Sequence, residues 1–402
     1  MSARSQSLSL AAVLPLLALS PVRPDPGWIR LAPDGRGFVA GEPAAVFCPL
    51  GFNYDHDEQG RLIEDYWHDE WAKVEADFAE MRELGANLVR VHLQFAKFME
   101  APETAREPAL RQLDRLVDLA ARTGLRLDLT GLGCYHRADV PPWYDALTEE
   151  ARWEAQARFW EAIARRCRDA PAVFCYDLMN EPVVPGGDKP RSDWLGPDFA
   201  GKHFVQFIAL DRAGRERHAV ARQWIEHLAG AIRRHDSRHL ITVGLVPWSL
   251  DRPGLTSGFV PDRLGPMLDF LSVHLYPESG KLAEARETLR GFAAGKPVLV
   301  EEIFPLKCSP AELGQFMRES ADAAAGWVGF YWGKTPDECR AGGTIADAIT
   351  LGWLELFRQE VLRSPAFDAA PENRPESLQP RGASSHLENR ESSSVPNSPA
   401  IP

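Results

Sequence analysis

Short apolar runs alternate along the chain with longer segments in which apolar residues recur every three or four positions. Such runs are typical of buried β-strands, and such spacing is typical of amphipathic helices. The clearest helix carries Leu110, Leu113 and Leu116 on one face and stops at Gly124, because glycine favours helix ends. Another lies in residues 68–84. Strands and helices in alternation predict an α/β fold with a parallel sheet.

Eight runs are predicted as strands, and most are followed by a predicted helix. The strands are 45–53, 87–93, 125–130, 172–179, 239–245, 269–276, 297–302 and 326–332, and the helices lie near 68–84, 110–120, 149–168, 217–235, 282–293, 309–324 and 346–361. This order predicts a single-domain (β/α)8 TIM barrel. An open doubly wound sheet is the alternative. Against it, no glycine-rich phosphate loop follows the first strand, and eight strands are what barrel closure requires.

The domain boundaries follow from composition. Residues 28–365 contain no linker and no repeat, so we expect one domain there. Residues 366–402 are rich in Pro, Ser, Glu and Asn and are expected to be a disordered tail. Residues 1–27 are expected to be an N-terminal extension or a signal peptide, because Arg4 precedes a short apolar run. Prolines in that segment fit a cleaved signal poorly, so secreted, periplasmic and cytoplasmic locations all stay open.

Composition and charge limit the classes of molecule that the protein is expected to bind. The chain has 402 residues, 45% of them hydrophobic and 25% charged, which is typical of a globular protein. A net charge of -12 without any basic cluster argues against nucleic acid, and we predict no membrane span. The six cysteines form no CxxC pair and the histidines are scattered, so we expect no metal site. The disulfide state and the oligomeric state stay open.

Two glutamates end strongly apolar strands. Glu181 follows CYDLMN, and Glu302 follows PVLVE. In a TIM barrel the site lies at the carboxyl ends of the strands, where the fourth and seventh strands face each other. Glycoside hydrolysis needs such a pair of carboxyl groups, and a separation of about 5 Å permits the retaining, double-displacement route. A single glutamate at a strand end would more often be a solvated carboxylate.

Three motifs strengthen this interpretation. The strings DLMNEP (177–182), KPVLVEEIF (296–304) and HLY (274–276) resemble glycoside hydrolase family 5, the cellulase family. The resemblance covers residues 45–360 in the correct strand order. It implies a retaining glycosidase of β-glucan, β-mannan or a shorter β-glycoside that needs no cofactor.

The resemblance also implies roles for individual residues. Glu181 corresponds to the acid/base, and Glu302 corresponds to the nucleophile. Six further residues would bind the substrate. Arg90 would pair with the nucleophile and keep its pKa low, Tyr276 would bond the nucleophile, and Asn180 would bond the sugar 2-hydroxyl. His136 and His274 would line the sugar site, and Trp332 would form its aromatic floor.

Glu301 competes with Glu302 for the role of nucleophile. Adjacent strand residues point to opposite faces, so only one of the two is expected to face the sugar. We favour Glu302. The family's nucleophile is followed by an aromatic residue and Gly, whereas Ile303 and Phe304 follow here.

Two further segments are expected to lie over the site. Residues 183–216 form a long Gly- and Pro-rich insertion that could close one end of the groove around a terminal sugar or hold a partner chain. In residues 51–67, Asp55, His56 and Asp57 could bind sugar hydroxyls.

Two rival functions remain. A carbohydrate-binding barrel that has lost catalysis is the main alternative, although it would be expected to lack one of the carboxylates. A metal-dependent hydrolase would need several His and Asp ligands at strand ends, and the histidines are not paired in that way.

Overall fold

Eight parallel strands close into a barrel within residues 27–190, 193–252, 255–330 and 332–363, the part of the chain that the computed structural model describes. The strands are β1 (Leu50–Tyr54), β2 (Leu88–Gln94), β3 (Arg126–Gly133), β4 (Val173–Asn180), β5 (Leu240–Leu245), β6 (Leu271–His274), β7 (Val298–Ile303) and β8 (Gly326–Gly329). Strands that are consecutive in sequence are neighbours in the barrel, and β8 pairs with β1. The predicted (β/α)8 barrel is therefore confirmed.

Helices surround the barrel. The longer ones are α1 (Trp71–Glu83), α2 (Glu107–Thr123), α3 (Glu149–Cys167), α4 (Arg217–Arg233), α5 (Leu282–Gly291), α6 (Pro310–Glu319) and α7 (Ile345–Arg363). After β5 the chain forms only the short helix Pro261–Leu264 and a 3-10 turn, Gly265–Met267. Other short helices are Ile63–Tyr66, Phe95–Phe98, Pro142–Asp145 and Pro336–Gly342, with 3-10 turns at Arg137–Asp139 and Pro247–Ser249.

The helices begin and end where local chemistry favours it. Thr148 caps α3 by accepting a hydrogen bond from the Ala151 N–H at 3.3 Å. Helix α2 ends at Gly124, whose φ of 73° suits a residue without a side chain. Leu113 and Leu116 of this helix are fully buried, so burial of its apolar face holds it against the barrel.

The predicted first strand, 45–53, is wrong in its extent. Residues Ala45–Phe47 belong instead to an antiparallel sheet with Ile29–Leu31 and Phe38–Ala40. Pro49 separates the two strands within the apolar run, and only the second, β1, enters the barrel. In the antiparallel sheet Phe38 packs edge-on against Phe174 and Phe270, at 5.0 and 5.1 Å between ring centroids. This sheet therefore covers the amino end of the barrel.

The barrel wall is apolar outside and polar inside. Phe52 of β1 packs on Phe357 of α7, with ring centroids 4.3 Å apart. The interior carries fully buried Arg90, Asp128 and Asp177 instead. Buried charges cost free energy unless they are paired, so these residues indicate a functional interior.

Other expectations have mixed outcomes. None of the described helices is long and apolar enough to cross a membrane. Five of the six cysteines form no disulfide bond within the described residues: Cys134, Cys167, Cys175, Cys308 and Cys339. The predicted tail, residues 366–402, lies outside the described residues, as do residues 1–26 of the predicted extension. Two short two-stranded sheets complete the fold, one joining Met99–Ala101 to Thr104–Ala105 and one joining Pro182–Val183 to Gln206–Phe207.

Candidate active site

Glu181 and Glu302 meet across the carboxyl end of the barrel. Three atoms lie within 4.8 Å of one another: one carboxylate oxygen of Glu181, one of Glu302 and a ring nitrogen of His274. Glu181 has a φ of 46°, in the left-handed region that residues other than glycine seldom adopt. Its backbone N–H donates to the Gly244 carbonyl at 3.0 Å, which helps to hold this conformation. The surrounding strands thus fix the position of the glutamate.

Arg90 donates hydrogen bonds to four side chains, one of which is Glu302. Its Nη1 donates to Glu302 Oε1 and to Asn53 Oδ1, both at 2.9 Å. Its Nη2 donates to Asp177 Oδ2 at 2.7 Å and to Asn180 Oδ1 at 3.0 Å. The guanidinium group is fully buried, so these interactions act in a low-dielectric interior and are stronger than at a surface.

Glu302 is held at both oxygens. Tyr276 donates its hydroxyl to Oε2 at 2.6 Å, while Arg90 bonds Oε1. Burial nevertheless raises the pKa of Glu302, and the charge of Glu181 adds to the rise, while His274, Arg90 and Tyr276 oppose it. The predicted contacts are present. Arg90 lowers this pKa, as predicted, but burial outweighs the cation, so the net shift is upward.

His274 is a cation at neutral pH. Burial lowers its pKa, but Glu302, Glu181 and Glu301 outweigh burial and raise the pKa to about 10. The imidazolium Nδ1–H donates to Glu181 Oε1 at 2.9 Å. Nε2 lies 3.5 Å from Glu301 Oε2. His274 therefore contacts both Glu181, which follows β4, and Glu301 of β7.

Glu301 and Glu302 both turn toward the barrel interior, contrary to the alternation predicted for a regular strand. Val273 pairs with Val300, whereas the next residue, His274, pairs with Glu302. Glu301 is thus the extra residue of a β-bulge, which re-aims its side chain. Glu301 Oε2 lies 3.5 Å from Arg90 Nη2.

Three carboxyl groups form a buried layer with Arg90. Asp128, Asp177 and Glu301 are fully buried. Burial and the charge of Glu301 raise the pKa of Asp128 well above its usual value, and they raise the pKa of Asp177 to about 6. Burial also acts on Glu301, but Arg90 and His274 outweigh it and lower the pKa of Glu301. Asp128 is therefore the acid that retains its proton.

The structure joins six of the eight predicted site residues in one hydrogen-bonded network: Arg90, Asn180, Glu181, His274, Tyr276 and Glu302. His136 lies half-buried at the start of the turn Arg137–Asp139, and its role stays a prediction. The neighbouring Tyr135 contacts the network instead, with its hydroxyl 2.5 Å from His92 Nδ1.

Trp332 departs from the prediction. Its side chain packs on Phe52, 5.3 Å between centroids, and its indole N–H donates to Asp77 of α1 at 3.0 Å. Trp332 therefore lies between the barrel wall and the helices, where it cannot stack on a sugar. Among the described residues, Phe330 lies nearer to the site, with its ring centroid 6.4 Å from that of Tyr276.

Sequence reasoning assigned no role to several residues of this site. Asn53 and Asp177 lie within or at the end of apolar runs, and a buried polar residue in such a run is itself a signal of function. Gly244 carried no such signal. A Cβ at this position would lie 2.9 Å from both Arg90 Nη2 and His274 Nε2, so only the structure reveals that this close approach requires glycine.

The triad Glu181, His274 and Glu302 has the spacing of a cation site. Its surroundings do not favour that use. Both oxygens of Glu302 already accept hydrogen bonds, one of them from the Arg90 guanidinium at 2.9 Å, and this positive charge would repel a metal ion.

A TIM barrel that brings two carboxyl groups together at the carboxyl ends of its strands has the arrangement of a glycosidase. The family described as cellulase (glycosyl hydrolase family 5) matches residues 51–324. The chain belongs to this family and is a glycosyl hydrolase, as its sequence motifs predicted.

The chain is similar to several mannan-degrading enzymes, all of them distant in sequence. The chain is 24% identical over 349 residues to the probable mannan endo-1,4-β-mannosidase A of Aspergillus flavus, covering 74% of this chain and 78% of the relative. It is 25% identical over 262 residues to mannan endo-1,4-β-mannosidase A of Emericella nidulans, covering 57% and 59%.

Solved structures share the fold. An exo-β-1,4-mannosidase of an Opitutaceae bacterium, Op5Man5, superposes with a TM-score of 0.59 at 20% identity, covering 83% of this chain and 63% of the other. The endo-1,4-β-mannanase of Rhizomucor miehei gives 0.59 at 17% identity, covering 84% and 100%.

Proposed function

We propose that the protein hydrolyses β-mannosidic bonds with retention of configuration, with Glu181 as acid/base and Glu302 as nucleophile. The observation that carries the proposal is the approach of their carboxylate oxygens to within 4.8 Å, which fits double displacement and leaves too little room for the water of an inverting route. The mannan-degrading activity of the relatives supports mannose as the sugar.

In the first step, Glu302 attacks the anomeric carbon while Glu181 gives its proton to the departing oxygen. Arg90 and Tyr276 orient the attacking carboxylate through their hydrogen bonds. As Glu181 loses its proton, the negative charge that it gains is stabilised by the His274 N–H at 2.9 Å.

In the second step, Glu181 takes a proton from water, and this water attacks the glycosyl ester on Glu302. In this proposal Asn180 bonds the sugar 2-hydroxyl. Its orientation is fixed, because Oδ1 accepts from Arg90 and Nδ2 donates to the Phe204 carbonyl at 3.1 Å. A fixed donor–acceptor pair of this kind favours the transition state.

Azide rescue separates the two roles. With an activated aryl β-mannoside and azide, Glu181→Ala should form β-mannosyl azide, because azide replaces water on the glycosyl ester. Glu302→Ala should form α-mannosyl azide by direct displacement, and the matched variant Glu301→Ala should form neither anomer of the azide. The same anomer from both variants would refute the assignment.

A panel of aryl β-glycosides tests the sugar. Faster hydrolysis of the β-glucoside than of the β-mannoside would refute the choice of mannose. Absence of any hydrolysis by the folded wild type would favour a carbohydrate-binding barrel without catalysis.

A further inference from the structure

The insertion after β4 is a fixed wall. Trp194 is 2% exposed, and the Arg152 guanidinium of α3 lies 4.3 Å from its ring centroid. The Trp153 indole N–H donates to the Ile208 carbonyl at 2.7 Å. These contacts anchor residues 194–208 on α3 at two points, so this part of the insertion is held in place rather than free to open.

This wall crosses one half of the barrel mouth. The His203 N–H donates to the Tyr135 carbonyl, and Gln206 Nε2 donates to the Leu132 carbonyl, both at 2.9 Å, at the carboxyl end of β3. Lys202 reaches the loop after β1, where a Cβ on Gly60 would lie 3.3 Å from its Nζ. The wall therefore spans the carboxyl ends of β1 to β4.

The half of the barrel mouth that the wall covers is the half that would hold the sugar whose anomeric bond is cleaved. Glu181 points toward His274 of β6. With Glu181 as acid/base, the leaving group would therefore lie on the β6 side. Asn180 points the other way, toward Arg90 of β2. If Asn180 bonds the 2-hydroxyl, the sugar ring extends from there over β1 and β2, beneath the wall.

Aromatic rings enclose this half of the site. Phe204 of the wall lies 5.0 Å from Tyr135 and 6.0 Å from Phe330, between ring centroids. Phe330 in turn lies 6.3 Å from His56. Together these rings form an aromatic boundary on this side of the site.

A buried acid with an unused acceptor lies at this boundary. Asp55 is fully buried, and its Oδ2 is 2.8 Å from His56 Nδ1. Its Oδ1 has no hydrogen-bond partner among the described residues. A buried carboxylate oxygen without a donor costs free energy, and the hydroxyls of a terminal sugar would supply the donor.

We propose that the protein removes single terminal β-mannosyl units from the non-reducing end, with Asp55 binding the hydroxyls far from the anomeric carbon. The inference rests on the proposed function and adds the direction of attack. A sugar joined to a further unit on that side would meet Phe204 and would leave Asp55 without its donor.

Manno-oligosaccharides labelled at the reducing end test the direction. The wild type should release mannose from the first time point and leave labelled products that shorten one unit at a time. Early labelled fragments shortened by several units, without free mannose, would overturn the inference while leaving the proposed function intact. No cleavage and no azide product would overturn both.

Two variants test the residues. Asp55→Asn should lower kcat/KM for an aryl β-mannoside roughly 10- to 100-fold, since a charged hydrogen bond is weakened, while Asp118→Asn, at an exposed position on α2 outside the wall, should leave it unchanged. Phe204→Ala should raise the fraction of internal cleavage. If Asp55→Asn had the same kcat/KM as the control and the wild type, and Phe204→Ala gave unchanged products, the assignment would be contradicted.

Discussion

At the residue scale, one hydrogen bond affects the ionisation of the proposed nucleophile. The Tyr276 hydroxyl, 2.6 Å from Glu302, donates to the ionised form of a carboxyl group whose pKa burial has raised. The proposed nucleophile must be ionised to attack. The acidic limb of the kcat/KM profile should therefore lie above the value of about 4.3 expected for an unperturbed glutamate.

Tyr276→Phe should move that acidic limb to still higher pH, because the carboxylate loses a donor that favours its charged form. It should also lower kcat roughly tenfold. The matched control is Tyr54→Phe, whose hydroxyl bonds Asp77 outside the barrel. A limb that stays in place in Tyr276→Phe would contradict the role of this hydrogen bond.

Asp128 should be neutral in the native protein. Both of its oxygens and both of those of Glu301 lack hydrogen-bond partners among the described residues, and one shared proton would satisfy the two groups. Because the native pKa of Asp128 is raised, its contribution to stability is complete below its unfolded pKa of about 4 and is lost as the pH rises through the native pKa.

Asp128→Asn should therefore become more stable relative to the wild type as the pH rises above about 4. Urea unfolding from pH 4 to pH 7 measures the difference in the free energy of unfolding. The exposed Asp118→Asn serves as control. A difference for Asp128→Asn that does not change with pH would show that Asp128 is charged.

At the scale of elements, the barrel strands bring these side chains together by irregularities. The bulge in β7 turns Glu301 inward, and Gly244 in β5 leaves the space that Arg90 and His274 fill. Regular strands with a side chain at each position could not hold so many charged groups at one level.

Gly244→Ala should lower kcat roughly 100-fold, because the added methyl group displaces Arg90 and His274 and misplaces the carboxyl groups that they hold. Gly230→Ala is the control. Its Cβ would meet nothing within 4 Å in α4, so it should stabilise the protein by about 0.5–1 kcal/mol without loss of kcat. Full activity of Gly244→Ala would contradict the close packing.

On the scale of the whole molecule, the two ends of the barrel have different tasks. The carboxyl end carries the charged network of the site. Near the amino end of β5, Asp236 accepts hydrogen bonds from Tyr176 at 2.7 Å and from the Arg238 N–H at 2.8 Å, and it pairs with His239. This second cluster is expected to support stability and not activity.

Asp236→Asn should destabilise the protein by about 2 kcal/mol at pH 7 and leave kcat unchanged. Burial raises the pKa of Asp236, but His239 and the other donors outweigh it and lower the pKa to about 2. The stabilisation is therefore present above pH 4 and lost as the pH falls through 2. Urea unfolding at pH 7 and pH 2 measures it, with the exposed Asp262→Asn as control; a pH-independent effect would contradict the linkage.

The sequence predicted the barrel because periodicity and strand order depend on local pattern, as in the stripe Leu110, Leu113 and Leu116 of α2. It could not predict side-chain direction at irregular positions. The inward turn of Glu301 needs the bulge in β7, and the outward burial of Trp332 needs its partner Asp77. Both depend on contacts between segments that are distant in sequence.

The central claim is that Glu302 forms the covalent bond to the sugar. An activated 2-deoxy-2-fluoro-β-mannoside should trap a glycosyl ester, and mass spectrometry of the digested protein should find the label on Glu302. The account predicts one label per chain on this residue, and none in Glu302→Gln. Label on Glu301, or turnover of the unfluorinated aryl β-mannoside with inverted product, would contradict it.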